Sequence, residues 1–147
     1  MPRLISILVV ISALSPVVAH ASPAPAVPVP SAWKTKAVSL AHGGSVHSTS
    51  ITGASALFNV NRKTFAMWFV AGPKNGRVAV FVNGKKVKVV DQYGTRTSRR
   101  SVMLRSTTSS NSVMVVALST RNKKSRGTTV NIDAFGPSAT KCAKGCT

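Results

Sequence analysis

The sequence predicts an all-β protein: an antiparallel β-sandwich of jelly-roll type with eight or nine strands, preceded by an export signal and a proline-rich spacer. Two observations carry this prediction. After Trp33 the apolar runs are short, rich in Val, and separated by Gly, Asn, Ser and Thr at intervals of roughly 10 residues. No segment of the sequence has apolar residues repeating at helical spacing over three turns, as an amphipathic helix would. A chain of 147 residues is long enough for one domain with appendages.

The N-terminus has the order of a secretory signal peptide. Arg3 precedes a mostly apolar stretch over 4–18, and Ala19-His20-Ala21 then forms a small-x-small cleavage pattern. A membrane anchor is the weaker interpretation, because the stretch contains Ser and Pro and falls short of the roughly 20 residues that span a bilayer. We therefore predict a signal peptide over 1–21 and a secreted protein, soluble or associated with the cell wall, with no transmembrane segment in the mature chain.

A spacer, a sandwich domain and a tail are predicted to follow the signal. Residues 22–32 carry proline at every second or third position, a pattern typical of extended polyproline II. The sandwich is predicted over 33–138 and a Cys-containing tail over 139–147. Because exported chains meet an oxidising environment, Cys142 and Cys146 are predicted to form a disulfide within the tail, with an intermolecular bridge as the alternative.

The clearest local unit is a β-hairpin over 77–90. Asn83-Gly84 lies between two alternating runs and suits a two-residue type I′ turn. Regular pairing outward from this turn predicts an apolar face and a mixed, basic face. The apolar face would hold Val78, Val80, Val82, Val87 and Val89, and the basic face Ala79, Phe81, Lys86 and Lys88.

Other strands are predicted by their apolar content. They are Lys36–Leu40, Val46–Ile51, Ala54–Asn59, Phe65–Ala71, Ser101–Arg105, Ser112–Ser119 and Thr128–Phe135. The strands over 65–71 and 112–119 are apolar on both faces, as expected of central strands.

The supply of carboxylates argues against an enzyme. Asp91 and Asp133 are the only acidic side chains of the chain, and both are expected at strand ends. A typical glycosidase needs two carboxylates across the scissile bond. A serine triad using His42 or His47 lacks the G-x-S-x-G elbow. We accordingly predict no catalytic residues, no metal and no cofactor, and treat a hydrolase as a remote alternative.

Positive charge is the dominant feature of the composition. The formal net charge is +18, from 20 Lys and Arg against two acidic residues. The basic residues concentrate in three groups: Lys85, Lys86 and Lys88; Arg96, Arg99, Arg100 and Arg105; and Arg121, Lys123, Lys124 and Arg126. Such a surface attracts polyanions through counterion release and electrostatic steering. Charge that serves only solubility is the alternative interpretation.

Several motifs occur in a distinctive order between Phe65 and Phe135. They are Trp68, Gly72-Pro73, Gly76-Arg77, Asn83-Gly84, Val90-Asp91-Gln92-Tyr93, Arg99-Arg100, Ser119-Thr120-Arg121-Asn122, Ser125-Arg126-Gly127-Thr128 and Asp133-Ala134-Phe135. This order resembles a β-sandwich accessory domain of exported bacterial proteins, of the galactose-binding-like or carbohydrate-binding-module-like kind. The resemblance implies a jelly roll that binds rather than catalyses.

We therefore predict a secreted, non-catalytic binding module for an extracellular polysaccharide or an anionic cell-envelope polymer. The alternative is a cationic protein that binds nucleic acid or anionic membranes, as an antimicrobial would. The candidate ligand-binding residues are Trp68, Tyr93, Arg96, Arg99, Arg100, Arg121, Lys123, Lys124 and Arg126. Trp68 has a second interpretation, as a core residue packed with Phe65, Met67 or Phe69. The oligomeric state is left open.

Overall fold

The computed structural model describes residues 32–137. The strands in this part of the chain are β1 (Lys34–Ala37), β2 (Ser45–Thr49), β3 (Ser55–Val60), β4 (Thr64–Ala71), β5 (Arg77–Val82), β6 (Lys85–Asp91), β7 (Ser98–Arg105), β8 (Asn111–Ala117), β9 (Val130–Ile132) and β10 (Ala134–Gly136). A single 3-10 turn, His42–Gly44, joins β1 to β2. The predicted signal peptide, nearly all of the spacer and the Cys142–Cys146 disulfide lie outside the described residues.

The strands pair antiparallel in three sheets, in the orders β1-β2-β9, β10-β4-β7 and β3-β8-β5-β6. Only Asp133 separates β9 from β10, so the chain passes at that residue from one three-stranded sheet to the other. Strands that change sheet at a corner are a regular feature of β-sandwiches. The predicted all-β antiparallel sandwich is confirmed.

One apolar core joins side chains of all three sheets. Phe65, Met67, Val80, Val115 and Val130 are fully buried within it. Burial of this kind, at about 25 cal/mol per Å² of apolar surface, is the main force that holds such sheets together.

Strand β4 is buried on both of its faces, as its sequence predicted. Its second face carries Ala66, Trp68 and Val70, all 5% exposed or less. Ala41, from the segment between β1 and β2, and Val46, from β2 itself, pack on Val70. Together they form an outer layer that accounts for the run of seven apolar residues over 65–71.

The hairpin has the predicted turn but not the predicted register beyond it. Asn83 and Gly84 have φ values of 50° and 78°, and Val82 lies opposite Lys85. A bulge then shifts the pairing between Val80 and Phe81, so that Val80 faces Lys88.

The bulge changes which valines of β6 are buried. Val90 is 6% exposed, whereas Val87 and Val89 are 41% and 44% exposed. The predicted apolar face was wrong for Val87 and Val89, because one extra residue in a strand reverses the face of every residue that follows.

Three predicted strand boundaries also need correction. Strand β1 covers Lys34–Ala37 rather than 36–40. Strand β7 begins at Ser98 rather than Ser101, which places Arg99 and Arg100 within the strand. The predicted strand over 128–135 is divided at Asp133. Among residues 32–137 there is no helix long and apolar enough to cross a membrane.

Candidate functional site

Three loops meet at one end of the sandwich and are joined by backbone hydrogen bonds. They are residues 72–76, 92–97 and 118–129. Gln92 N donates to Gly76 O at 3.0 Å, and Gly76 N donates to Thr129 O at 2.8 Å. Arg126 N donates to Pro73 O at 2.9 Å. We call this region the loop end.

Two glycines allow the loops of the loop end to lie in direct contact. A Cβ on Gly76 would lie 2.8 Å from Thr128 O, and one on Gly127 would lie 2.8 Å from Lys74 O. Contacts that short with backbone atoms leave no room for a side chain. Ser125, which is 5% exposed, places its Oγ 2.7 Å from Asn75 O. The loops therefore form one packed unit rather than independent segments.

A buried pair of amide side chains links the loop end to strands β4 and β9. Gln92 is fully buried, and its Nε2 donates to Asn131 O at 2.7 Å. Asn131 N donates in return to Gln92 Oε1 at 2.8 Å. The side chain of Asn131 bonds both N and O of Val70 at 2.8 Å. Sequence analysis named Gln92 only as part of the Val90-Asp91-Gln92-Tyr93 motif and gave neither residue a structural role, because the position of a polar residue in the chain does not reveal its partner.

Asp91 fixes the third loop to the end of β6. Its Oδ2 accepts hydrogen bonds from Asn122 Nδ2 at 3.1 Å and from Arg77 at 3.3 Å, and its Oδ1 accepts one from Tyr93 N at 3.0 Å. Partial burial opposes ionisation of Asp91. The hydrogen bonds from Tyr93, Asn122 and Arg77, with the Arg77 charge, outweigh it, so the pKa lies below its ordinary value. Both oxygens of this carboxylate thus form hydrogen bonds within the fold.

Most of the predicted basic residues converge on the loop end. Arg96, Arg99 and Arg100 belong to the second loop and the start of β7, and Arg100 Nη1 lies 3.4 Å from Tyr93 O. The third loop supplies Arg121, Lys123, Lys124 and Arg126. All seven side chains are exposed, whereas Tyr93 is half-buried.

Lys74 is an eighth basic residue at the loop end that sequence analysis missed. It is exposed in the loop between Pro73 and Gly76. The signal in the sequence was a lone lysine inside a Gly-Pro-Lys-Asn-Gly turn, which becomes informative only once the third loop packs against it. We call these eight residues, together with Tyr93, the loop-end surface.

A cavity of about 270 Å³ lies beside the loop-end surface. Lys36 and Lys74 line it, together with hydroxyl and amide side chains. These polar residues are Ser48, Asn75, Thr97, Thr129 and Asn131. The cavity thus combines positive charge with hydroxyl and amide side chains.

Arg105 does not join the group in which its sequence position placed it. It pairs with Thr64 at one end of β4, whereas Ser98 pairs with Ala71 at the other end. Arg105 instead lines a groove with Lys85. Apart from Lys88, which lies in the middle of β6, the three basic groups of the sequence thus become two surfaces at opposite ends of the fold.

Trp68 is buried on the outer face of β4, away from Phe65, Met67 and Phe69. It is 5% exposed, and the ring of His42 meets it edge-on with centroids 5.0 Å apart. Arg99 Cζ lies 5.5 Å from the ring centroid. The interpretation of Trp68 as a buried residue is confirmed, but its predicted neighbours were wrong, because alternate residues of a strand point to opposite faces. The buried indole of Trp68 therefore does not offer an open face on which a sugar could stack.

The second carboxylate, Asp133, is also used within the fold. Its side chain is completely buried and accepts hydrogen bonds from His42 N and from His42 Nδ1, both at 2.8 Å. His42 Nε2 is itself buried, without a hydrogen-bond partner among the described residues. Over residues 32–137 no three His, Cys, Asp or Glu side chains form a group that could hold a metal ion.

The fold is similar to that of domains in proteins that act on or bind glycans. A family 35 carbohydrate-binding module from an environmental isolate matches 82% of this chain and 93% of its own, with a TM-score of 0.51 at 17% identity. A Paenibacillus xanthan lyase matches 74% of the chain with a TM-score of 0.58 at 15% identity. An exo-β-1,3-galactanase from Phanerochaete chrysosporium matches 72% with a TM-score of 0.50 at 19% identity.

The two enzymes are much longer than this chain, which corresponds to 12% of the lyase and 26% of the galactanase. No protein-family model and no curated protein sequence matches the chain. The comparisons define the class of fold, a β-sandwich like that of carbohydrate-binding modules, and confirm the fold implied by the sequence resemblance.

Proposed function

We propose that the protein is an exported, non-catalytic binding module for an anionic extracellular polysaccharide or cell-envelope polymer, which it holds on the loop-end surface. The observation that carries this proposal is the convergence of eight exposed basic side chains from three hydrogen-bonded loops and the start of β7. The carboxylate within that region, Asp91, is already bonded to Arg77 and Asn122. Asp91 therefore does not neutralise the eight basic side chains, and they are available to an anionic ligand.

Rigid, unneutralised charge favours a polymer with repeated anionic groups. Each Lys or Arg that meets such a group releases condensed counterions, so the affinity falls as salt concentration rises. Because the loops are held by backbone bonds, their backbone loses little conformational entropy when a polymer binds. The cavity beside Lys36 and Lys74 adds hydroxyl and amide groups suited to sugar hydroxyls. These features support a glycan that also carries negative charge.

Binding to polygalacturonate and to a neutral glucan across a salt series tests the proposal. We expect tighter binding to the acidic polymer and a linear fall of log affinity with log salt. Lys124→Gln should weaken binding several-fold and reduce the salt slope by about 1, whereas Lys88→Gln, a matched loss of one exposed lysine, should change it less than about twofold. Equal effects of the two substitutions would mean that binding depends only on the net charge of the protein, and this result would overturn the assignment to the loop end.

Parallel measurements with duplex DNA and with anionic vesicles separate this proposal from the cationic alternative. A preference for either over the acidic polysaccharide at the same salt concentration would favour a nucleic-acid or membrane target. Binding to the neutral glucan that persists at high salt and is lost in Tyr93→Ala would instead favour aromatic recognition of sugar.

A further inference from the structure

A second basic surface lies at the end of the sandwich opposite the loop end. Strand β4 connects the two ends, with Arg105 beside Thr64 at one end and Ser98 beside Ala71 at the other. The eight residues of β4 separate the ends by about 23 Å at 3.3 Å per residue. The second surface comprises Arg62, Lys63, Lys85, Lys86 and Arg105, all of them exposed. We call it the hairpin-end surface.

Hydrogen bonds join the loops of the hairpin end, as they do those of the loop end. Asn111 is 3% exposed, and its Nδ2 donates to Arg62 O at 2.8 Å. Ser106 N donates to Lys63 O at 2.7 Å. Asn83, in the β5–β6 turn, donates from Nδ2 to Asn111 Oδ1 at 2.9 Å. The basic residues of this end are thus carried by turns that are fixed to one another.

A groove of about 400 Å³ crosses the hairpin-end surface. Lys85 and Arg105 line it together with Ser106, Thr107 and Asn83. Neither of the two side-chain carboxylates neutralises it, because Asp91 is at the far end of β6 and Asp133 is buried against His42. The groove offers two cationic groups, with the hydroxyl groups of Ser106 and Thr107 beside them, to an anionic group.

We propose that the hairpin-end surface binds a second polyanion segment, so that one molecule bridges two polymer chains. This inference rests on the proposed function, since the loop-end surface must hold the first chain. The two surfaces face opposite directions on a rigid scaffold. Each protein molecule then links two polymer chains. Because a polymer chain offers binding sites to many protein molecules, these links build a network of polymer and protein.

Capture of a second polymer tests the bridge directly. Beads coated with polygalacturonate are loaded with the protein, washed, and exposed to fluorescein-labelled polygalacturonate. We expect the wild-type protein to retain the label on the beads. Lys85→Gln/Lys86→Gln should bind the beads but capture about fivefold less label, and the matched Lys123→Gln/Lys124→Gln should likewise lose capture. Thermal unfolding of both variants checks that these exposed substitutions leave the fold intact.

The outcomes separate this inference from the proposed function. Wild-type protein that binds the beads but captures no label, or Lys85→Gln/Lys86→Gln that captures as much as wild type, overturns the bridge and leaves the loop-end site standing. Failure of the wild-type protein to bind the beads overturns both.

Stoichiometry with a short ligand distinguishes a bridging monomer from a bridging oligomer. A trimer of galacturonic acid is too short to span the two ends. Calorimetry at low salt should give two trimers per chain for the wild-type protein and one for Lys85→Gln/Lys86→Gln. One trimer per wild-type chain would overturn the second site.

Discussion

Asp133 receives two hydrogen bonds from one residue, His42, through its backbone N and its ring Nδ1, each at 2.8 Å. The two residues are 91 positions apart in the chain. This contact fixes the outer segment between β1 and β2 at the point where the chain crosses from β9 to β10. It also covers Trp68, whose indole lies edge-on to the imidazole.

The His42–Asp133 contact should contribute strongly to stability. In His42→Ala the buried carboxylate loses its ring partner, and we expect the free energy of unfolding to fall by about 3 kcal/mol. Urea denaturation measures this change. His47→Ala is the matched control, because His47 is exposed on β2 and should change stability by less than about 1 kcal/mol. Equal losses in the two variants would contradict the role assigned to the contact.

Asp91 should make stability depend on acid pH. Its pKa is lower in the folded protein than in the unfolded chain, so its contribution is present above the unfolded pKa, about 4, and is lost as pH falls through the folded value. We expect the free energy of unfolding to decrease below about pH 4 and the decrease to be smaller in Asp91→Asn. If the free energy of unfolding depended on pH identically in the two proteins, the stabilising role of ionised Asp91 would be excluded.

The loop end should not tolerate a side chain at Gly76. The Cβ of Gly76→Ala would meet the backbone of Thr128 at 2.8 Å, so we expect a loss of about 2 kcal/mol and weaker binding of polygalacturonate. Gly72→Ala, in the same loop, would place its Cβ no closer than 3.5 Å to Asn75 and should be nearly neutral. Thermal unfolding and the binding assay check both variants. A neutral Gly76→Ala would show that the first and third loops are not in contact.

The bulge in the hairpin makes opposite predictions for two adjacent valines. Val90 is buried and Val89 is not, so Val90→Ala should cost about 2 kcal/mol and Val89→Ala less than about 0.5 kcal/mol. Regular pairing from the turn would give the reverse order. Chemical denaturation of the two variants therefore reports directly on the register of β6.

Local sequence signals determined the fold class and much of its framework. Alternating valines, the Asn83-Gly84 turn and the doubly apolar run over 65–71 each specify a strand or a turn from neighbouring residues alone. The whole-chain charge and the supply of two carboxylates are likewise properties of composition. These features predicted a sandwich with a basic surface suited to polyanions.

Tertiary structure alone decided which distant residues meet. It joined Lys74 to the basic residues of two other loops, moved Arg105 to the opposite end, and buried Trp68 beneath His42. It also set the face of Val89 and Val90 through a single bulge. The physical reason is that strand spacing fixes only local direction, whereas pairing partners, bulges and loop contacts depend on the packing of segments far apart in the chain.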